Sequence, residues 1–223
     1  MGLDMYLYRY PLNGLSAKEA MNIAAYYDML NSDWAMENGI TFQEWVGDKN
    51  AIIPSQEHIA LFKKNNRVRY ADWDKEKKYP NKSISKKVGY WRKANAIHNW
   101  FVENVQDGID NCGEYVVTKE QLETLLDICE TVLGRSHLKD GYVKNGYQSD
   151  DTGKLLPCYE EGKYVSNTAT AEALLPTTGG FFFGSTDYDQ WYIEDLKSTV
   201  SILKKVLRTT DFSKYVIAYS SSW

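Results

Sequence analysis

The chain begins and ends on residues that suit a pleated sheet, and this constrains its fold more than anything between. Met5-Tyr6-Leu7-Tyr8-Arg9-Tyr10 is an aromatic run stopped by Pro11, and Tyr215 to Tyr219 is a second such run. Aromatic residues favour a half-buried pleated surface, and proline has no N–H to offer a ladder. Between these runs the signals are mostly helical. Ser16 with Glu19, and Thr118 with Gln121, have the spacing of capping boxes. They predict helices from Ser16 to about Leu30 and from Thr118 to Gly134, the glycine ending the second. Further helices are predicted over Ser55 to Asn65, Ile84 to Val105 and Asp187 to Leu207, with a short strand over Tyr115 to Val117. Phe181-Phe182-Phe183, bracketed by glycines, reads as a short buried strand. Residues 135–178 read as hairpins and loops. The expected fold is α+β. One globular domain spans 1–223, with several helices packed on a small antiparallel or mixed sheet that includes both terminal strands.

A chain of 223 residues, 43% of them hydrophobic, can bury a real core. Its aromatic content (Trp 7, Tyr 17, Phe 7) and net charge of only −4 exclude a disordered chain. No apolar run approaches the ~18 residues of a membrane helix, and the first residues lack the basic and apolar regions of a signal peptide. A cytoplasmic protein with no membrane partner is expected. Cys112, Cys129 and Cys158 form no close pair, and His58, His98 and His137 are widely spaced, so neither a metal site nor a cofactor is expected.

Charge is distributed unevenly. Residues 63–93 hold twelve basic residues against Asp72, Asp74 and Glu76, a local +9 that leaves −13 for the rest. Tyr70, Trp73, Tyr79, Tyr90 and Trp91 lie among them. Cations beside flat rings suit a phosphate-bearing ligand with a base to stack; a solvated surface of mixed charge is the other reading. The negative remainder makes extended nucleic acid an unfavourable partner.

On a wheel of about 100° per residue, Trp91, Ala94, Phe101, Val102 and Val105 form an apolar stripe with His98 inside it. Arg92, Asn95, His98 and Asn99 then make one polar strip. It reads either as a structural network or as the wall of a cleft. In the second case Arg92 grips a phosphate, Asn95 meets a base or ribose edge, and His98 serves as donor or acid/base. Gly179 to Thr186 places glycines and the hydroxyls of Ser185 and Thr186 before a helix, where backbone N–H groups hold anions. Either hydroxyl can equally be a plain N-cap. Asp187 and Asp189, in the first turn, would repel a phosphate, and Asp195, close to the apolar face, is a plausible partner for a buried cation. There is no Walker element, nucleophile elbow or dinucleotide fingerprint.

Three blocks carry a resemblance: Met1-Gly2-Leu3-Asp4-Met5-Tyr6-Leu7, Val88-Gly89-Tyr90-Trp91-Arg92-Lys93-Ala94-Asn95-Ala96-Ile97-His98-Asn99-Trp100-Phe101, and Gly180 through Tyr188. Together they resemble a family of small proteins of tailed bacteriophages and prophages. The resemblance implies an accessory phage protein made in the host bacterial cytoplasm, and supplies no catalytic residues. The expected function is binding of a small anionic, nucleotide-like ligand through Trp91, Arg92, Asn95, His98, Asn99, Ser185 and Thr186, as in a sponge that sequesters a host immune signal. The alternatives are an enzyme on a nucleotide or phosphoester with His98 as acid/base, and a protein-interaction module that blocks a host factor. A homo-oligomer is compatible with all three.

Overall fold

A computed structural model describes residues 2–65 and 84–223. Most of the basic stretch, from Arg67 through Lys82 with Tyr70, Trp73 and Tyr79, lies outside the described residues. The described strands are β1 (Asp4–Pro11), β2 (Lys86–Arg92), β3 (Tyr115–Val117), β4 (Leu138–Ser149), β5 (Leu155–Val165) and β6 (Tyr215–Ser222). The helices are α1 (Ala17–Leu30), α2 (Asp33–Glu37), α3 (Phe42–Val46), α4 (Gln56–Asn65), α5 (Asn95–Val105), α6 (Lys119–Arg135), α7 (Ala169–Leu174) and α8 (Gln190–Thr209). Four strands form one sheet in the order β2-β1-β6-β3, so both terminal strands are neighbours in it, and β4 and β5 form a separate hairpin. The fold is α+β. No helix among the described residues is long and apolar enough to cross a membrane.

The chain divides into two compact units. Met1–Leu7, Gly89–Thr209 and Tyr219–Trp223 form one, and Tyr8–Val88 with Thr210–Ala218 form the other. In the latter, α1 starts where its capping box places it. The Ser16 hydroxyl accepts from the Glu19 N–H at 3.3 Å, and the Glu19 carboxylate accepts from the Ser16 N–H at 3.0 Å. Ala20, Ile23, Ala24 and Tyr27, at helical spacing, are buried along one face. Ile23 and Tyr27 meet Ile59 and Phe62 of α4; Met29 meets Ala35, Phe42 and Ala51. The short helices α2 and α3, not anticipated, start at Ser32 and Thr41, whose side chains accept from the N–H groups of Ala35 and Glu44.

In the other unit, α6 and α8 pack together. Leu122, Leu125, Cys129 and Val132 face inward from α6, and Tyr192, Leu196, Leu203 and Val206 from α8. Gly134 does not end α6, which continues to Arg135 and gives way at the extended Ser136. Its last turn needs no left-handed residue because the backbone leaves directly for β4.

The predicted helix over 84–105 is instead a strand, a turn and a shorter helix. Gly89 and Trp91 are buried while Tyr90 and Arg92 are exposed, the alternation of a strand. A Cβ at Gly89 would sit 2.8 Å from Ile202 Cγ2 and 3.3 Å from Leu7 Cβ, so glycine is what lets β2 lie under α8. Lys93 has a positive φ of 59°, which turns the chain into α5. The buried set is close to the wheel expectation. Trp91, Ala94, Phe101 and His98 are buried and Val105 is half-buried, but Trp91 gets there from a strand, donating its indole N–H to Thr199 Oγ1 at 2.9 Å.

Candidate functional site

The segment 178–186 is the wall on which the site is built. The expected strand at Phe181–Phe183 is a turn, with the Phe183 N–H donating to the Gly180 carbonyl at 3.2 Å. Phe181 is 96% exposed rather than buried. Three consecutive phenylalanines have no alternation to hold them in a sheet, and Gly180 and Gly184 (φ 88°) let the backbone fold back. Phe183 turns inward, its ring edge against His98 at 5.0 Å.

Asn95 fixes this wall. Buried at the start of α5, it donates from Nδ2 to the carbonyls of Phe183 (3.1 Å) and Ser185 (2.7 Å), and its Oδ1 accepts from the Thr178 N–H at 3.1 Å. Its amide is therefore turned to the protein backbone, and its role is to position the wall. A fourth tie runs from the Leu3 N–H to the Phe182 carbonyl at 3.1 Å.

The wall divides the predicted residues between two clefts. Arg92, Asn95, Ser185 and Thr186 line the larger, of about 740 Å³; His98 and Asn99 line the smaller, of about 490 Å³. Trp91 lines neither. The polar strip is not one surface, because Arg92 stands on β2, beyond the left-handed turn at Lys93.

Three cations stand around the larger cleft: Arg92, Lys93 and Lys144. Arg92 is paired with Asp4 at 3.2 Å and not with Asp195. The Tyr90 hydroxyl donates to the same carboxylate at 2.6 Å. Tyr90 and Asp4 together hold the guanidinium firmly in its charged form. Lys144, placed at the cleft by the bulge that shifts the β4 register between Lys144 and Tyr147, reaches Asp187 at 3.5 Å. Lys93 has no ion-pair partner among the described residues. Tyr147, Phe182 and Trp191 supply flat surface. Asp189 rather than Ser185 or Thr186 caps α8, its Oδ1 accepting from the N–H groups of Trp191 (2.9 Å) and Tyr192 (3.1 Å). Burial raises the pKa of Asp189 against the lowering effect of those donors.

Comparison of the chain with family models, curated proteins and solved structures gives no match.

In the smaller cleft, His98 is 1% exposed and both its nitrogens are engaged. Nε2 lies 3.0 Å from Asp110 Oδ2 and Nδ1 lies 2.7 Å from the Tyr219 hydroxyl. A carboxylate can only accept, so Nε2 carries a proton, and in the neutral ring Nδ1 accepts from Tyr219. Tyr219 stacks on Phe101 at 4.0 Å, and burial, reinforced by the Asp110 charge, raises its pKa well above the phenol range. Asp110 also accepts from the Trp223 indole at 3.1 Å. Among the described residues no group of three His, Cys, Asp or Glu side chains is placed to hold a metal ion. Lys144, Asp189 and the pair Asp110–Tyr219 were not legible as site residues. They come from distant elements, and only the spacing of Asp189 before the α8 pattern carried a local signal, that of a cap.

Proposed function

We propose that the chain binds a small phosphate-bearing, nucleotide-like ligand in the larger cleft and holds it without converting it. One observation carries this reading. Arg92, Lys93 and Lys144 converge on a cleft of about 740 Å³ that also presents the rings of Tyr147 and Trp191. That volume is within the usual ~300–1,000 Å³ of ligand pockets, and cations beside rings match a phosphate and a base. Retention rather than turnover is supported by His98, whose two nitrogens are both occupied within the fold. In the setting the sequence resemblance implies, such a protein would withdraw a host signalling nucleotide from its receptor.

The test is calorimetric titration with a panel of linear and cyclic nucleotides, followed by heat release and chromatography of the bound one. Lys93→Ala and Arg92→Ala should each weaken binding by about tenfold or more, as loss of a paired charged contact does, and leave the melting midpoint nearly unchanged because both side chains are exposed. Ligand recovered intact supports sequestration. Recovery of a product points to an enzyme, and full affinity in both variants moves the site elsewhere.

A second reading, as a protein-interaction module, is favoured by the β4–β5 hairpin. Tyr142 (70%), Tyr147 (61%), Leu155 (65%) and Tyr159 (63%) are highly exposed, and the register puts them on one face.

A further inference from the structure

The larger cleft is lined by carboxylates as well as cations: Asp187, Asp189 and Asp195. Asp189 is 2% exposed, and its cap contacts engage only Oδ1. Its Oδ2 is buried without a hydrogen-bond partner. Asp195 lines the same cleft half-buried, with no hydrogen bond or ion pair to its carboxylate among the described residues. Burial, with the charges of Asp189 and Glu194, pushes its pKa up to about 7. Arg92 pairs with Asp4 and Lys144 with Asp187, and no cation among the described residues, Lys93 included, forms an ion pair with either group. A carboxylate oxygen withdrawn from water without a donor is unfavourable in the free protein. A bound group that donates hydrogen bonds removes that penalty, so the pair discriminates for ligands with donors beside these carboxylates. Trp191, between them in sequence, also lines the cleft.

We propose that Asp195, backed by Asp189, accepts hydrogen bonds from an amino group of the ligand, so that the cleft selects phosphorylated molecules carrying an amino-bearing base. The phosphate lies toward Lys93 and Arg92, and the amino edge toward Asp195. This rests on the nucleotide reading and specifies which nucleotides satisfy it. Bases without an exocyclic amine leave both carboxylates as they are in the empty cleft and bind less tightly.

The experiment uses two pairs of probes that differ by one amino group: adenosine monophosphate against purine riboside monophosphate, and guanosine monophosphate against inosine monophosphate. Titration calorimetry should show the amino-bearing member of at least one pair binding about tenfold or more tightly, since a site built around a hydrogen bond rejects the analogue that lacks it. Asp195→Ala should erase that difference while leaving the weaker member's affinity within about threefold. If that variant does not fold, the wild-type comparison decides alone. Equal affinities within both pairs overturn the proposal and leave the nucleotide reading standing. A preference that survives in folded Asp195→Ala overturns the assignment to Asp195. Failure of all four probes to bind overturns this proposal, and failure of the wider panel of linear and cyclic nucleotides as well overturns the nucleotide reading.

Discussion

Replacing Asn95 by aspartate exchanges one NH2 for an oxygen at almost constant volume, and the structure says what that exchange does. The Thr178 N–H keeps its acceptor, but the carbonyls of Phe183 and Ser185 lose their donor and face an oxygen instead. Two hydrogen bonds at about 1 kcal/mol each, plus the penalty of a poorly solvated carboxylate opposite two carbonyl dipoles, give a loss of about 2–4 kcal/mol. In a domain of this size the melting midpoint should fall by about 5–15 °C. The pH dependence has a definite sign. The new carboxyl is disfavoured in its charged form in the fold, so its folded pKa is raised above the unfolded value of about 3.9. The folded state then binds more protons than the unfolded state, and the deficit shrinks as the pH falls. Calorimetric melts at pH 8 and pH 5 measure both effects, with Asn99→Asp in the smaller cleft as a comparison for a half-buried amide. A midpoint within ~2 °C of wild type at pH 8, or a deficit that grows at pH 5, refutes the clamp.

Gly89→Ala should destabilise by about 1–3 kcal/mol, because its Cβ meets Ile202 at 2.8 Å; chemical denaturation of this variant, alone and with Ile202→Ala, should show the second change recovering part of the loss. Asp195, whose folded pKa is raised to about 7, lowers stability as the pH rises from about 4 to 7. Asp195→Asn should flatten that part of the stability profile and melt higher than wild type at pH 8.

What could be read from the sequence was what is decided locally. The capping boxes at Ser16 and Thr118 work within one turn of chain, so their residues announce the helices without help from the rest of the fold. The terminal strands were equally legible from their aromatic runs. Trp91 and Arg92 were misplaced because Trp91 falls at helical spacing from Ala94 and His98 as well as at strand spacing from Gly89. What decides for the strand is Ile202, more than a hundred residues away, which leaves room only for glycine at position 89. The hairpin strands were not resolved because both faces are largely exposed, which removes the usual alternation. Of the site, Asn95 and His98 were found on one helix, yet their partners Phe183, Ser185, Thr178, Asp110 and Tyr219 are set by tertiary packing. Asn95 thereby became a clamp and His98 a saturated buried group.

The adjacency of β1 and β6 in the sheet governs how this chain can be made. The two strands lie at opposite ends of the sequence, so β1 leaves the ribosome long before its neighbour exists. At about 5–20 residues per second, the intervening chain takes on the order of ten to forty seconds to synthesise. Throughout that interval one edge of β1 lacks its β6 partner, exposing a strand of tyrosine and aliphatic side chains to other nascent chains. Pairing so remote in sequence also carries a large loop-closure entropy, which slows the step that completes the sheet. Low temperature and slow translation therefore act in opposite directions on recovery of folded protein: cooling weakens the non-specific apolar association of the waiting edge, whereas slower synthesis lengthens the wait.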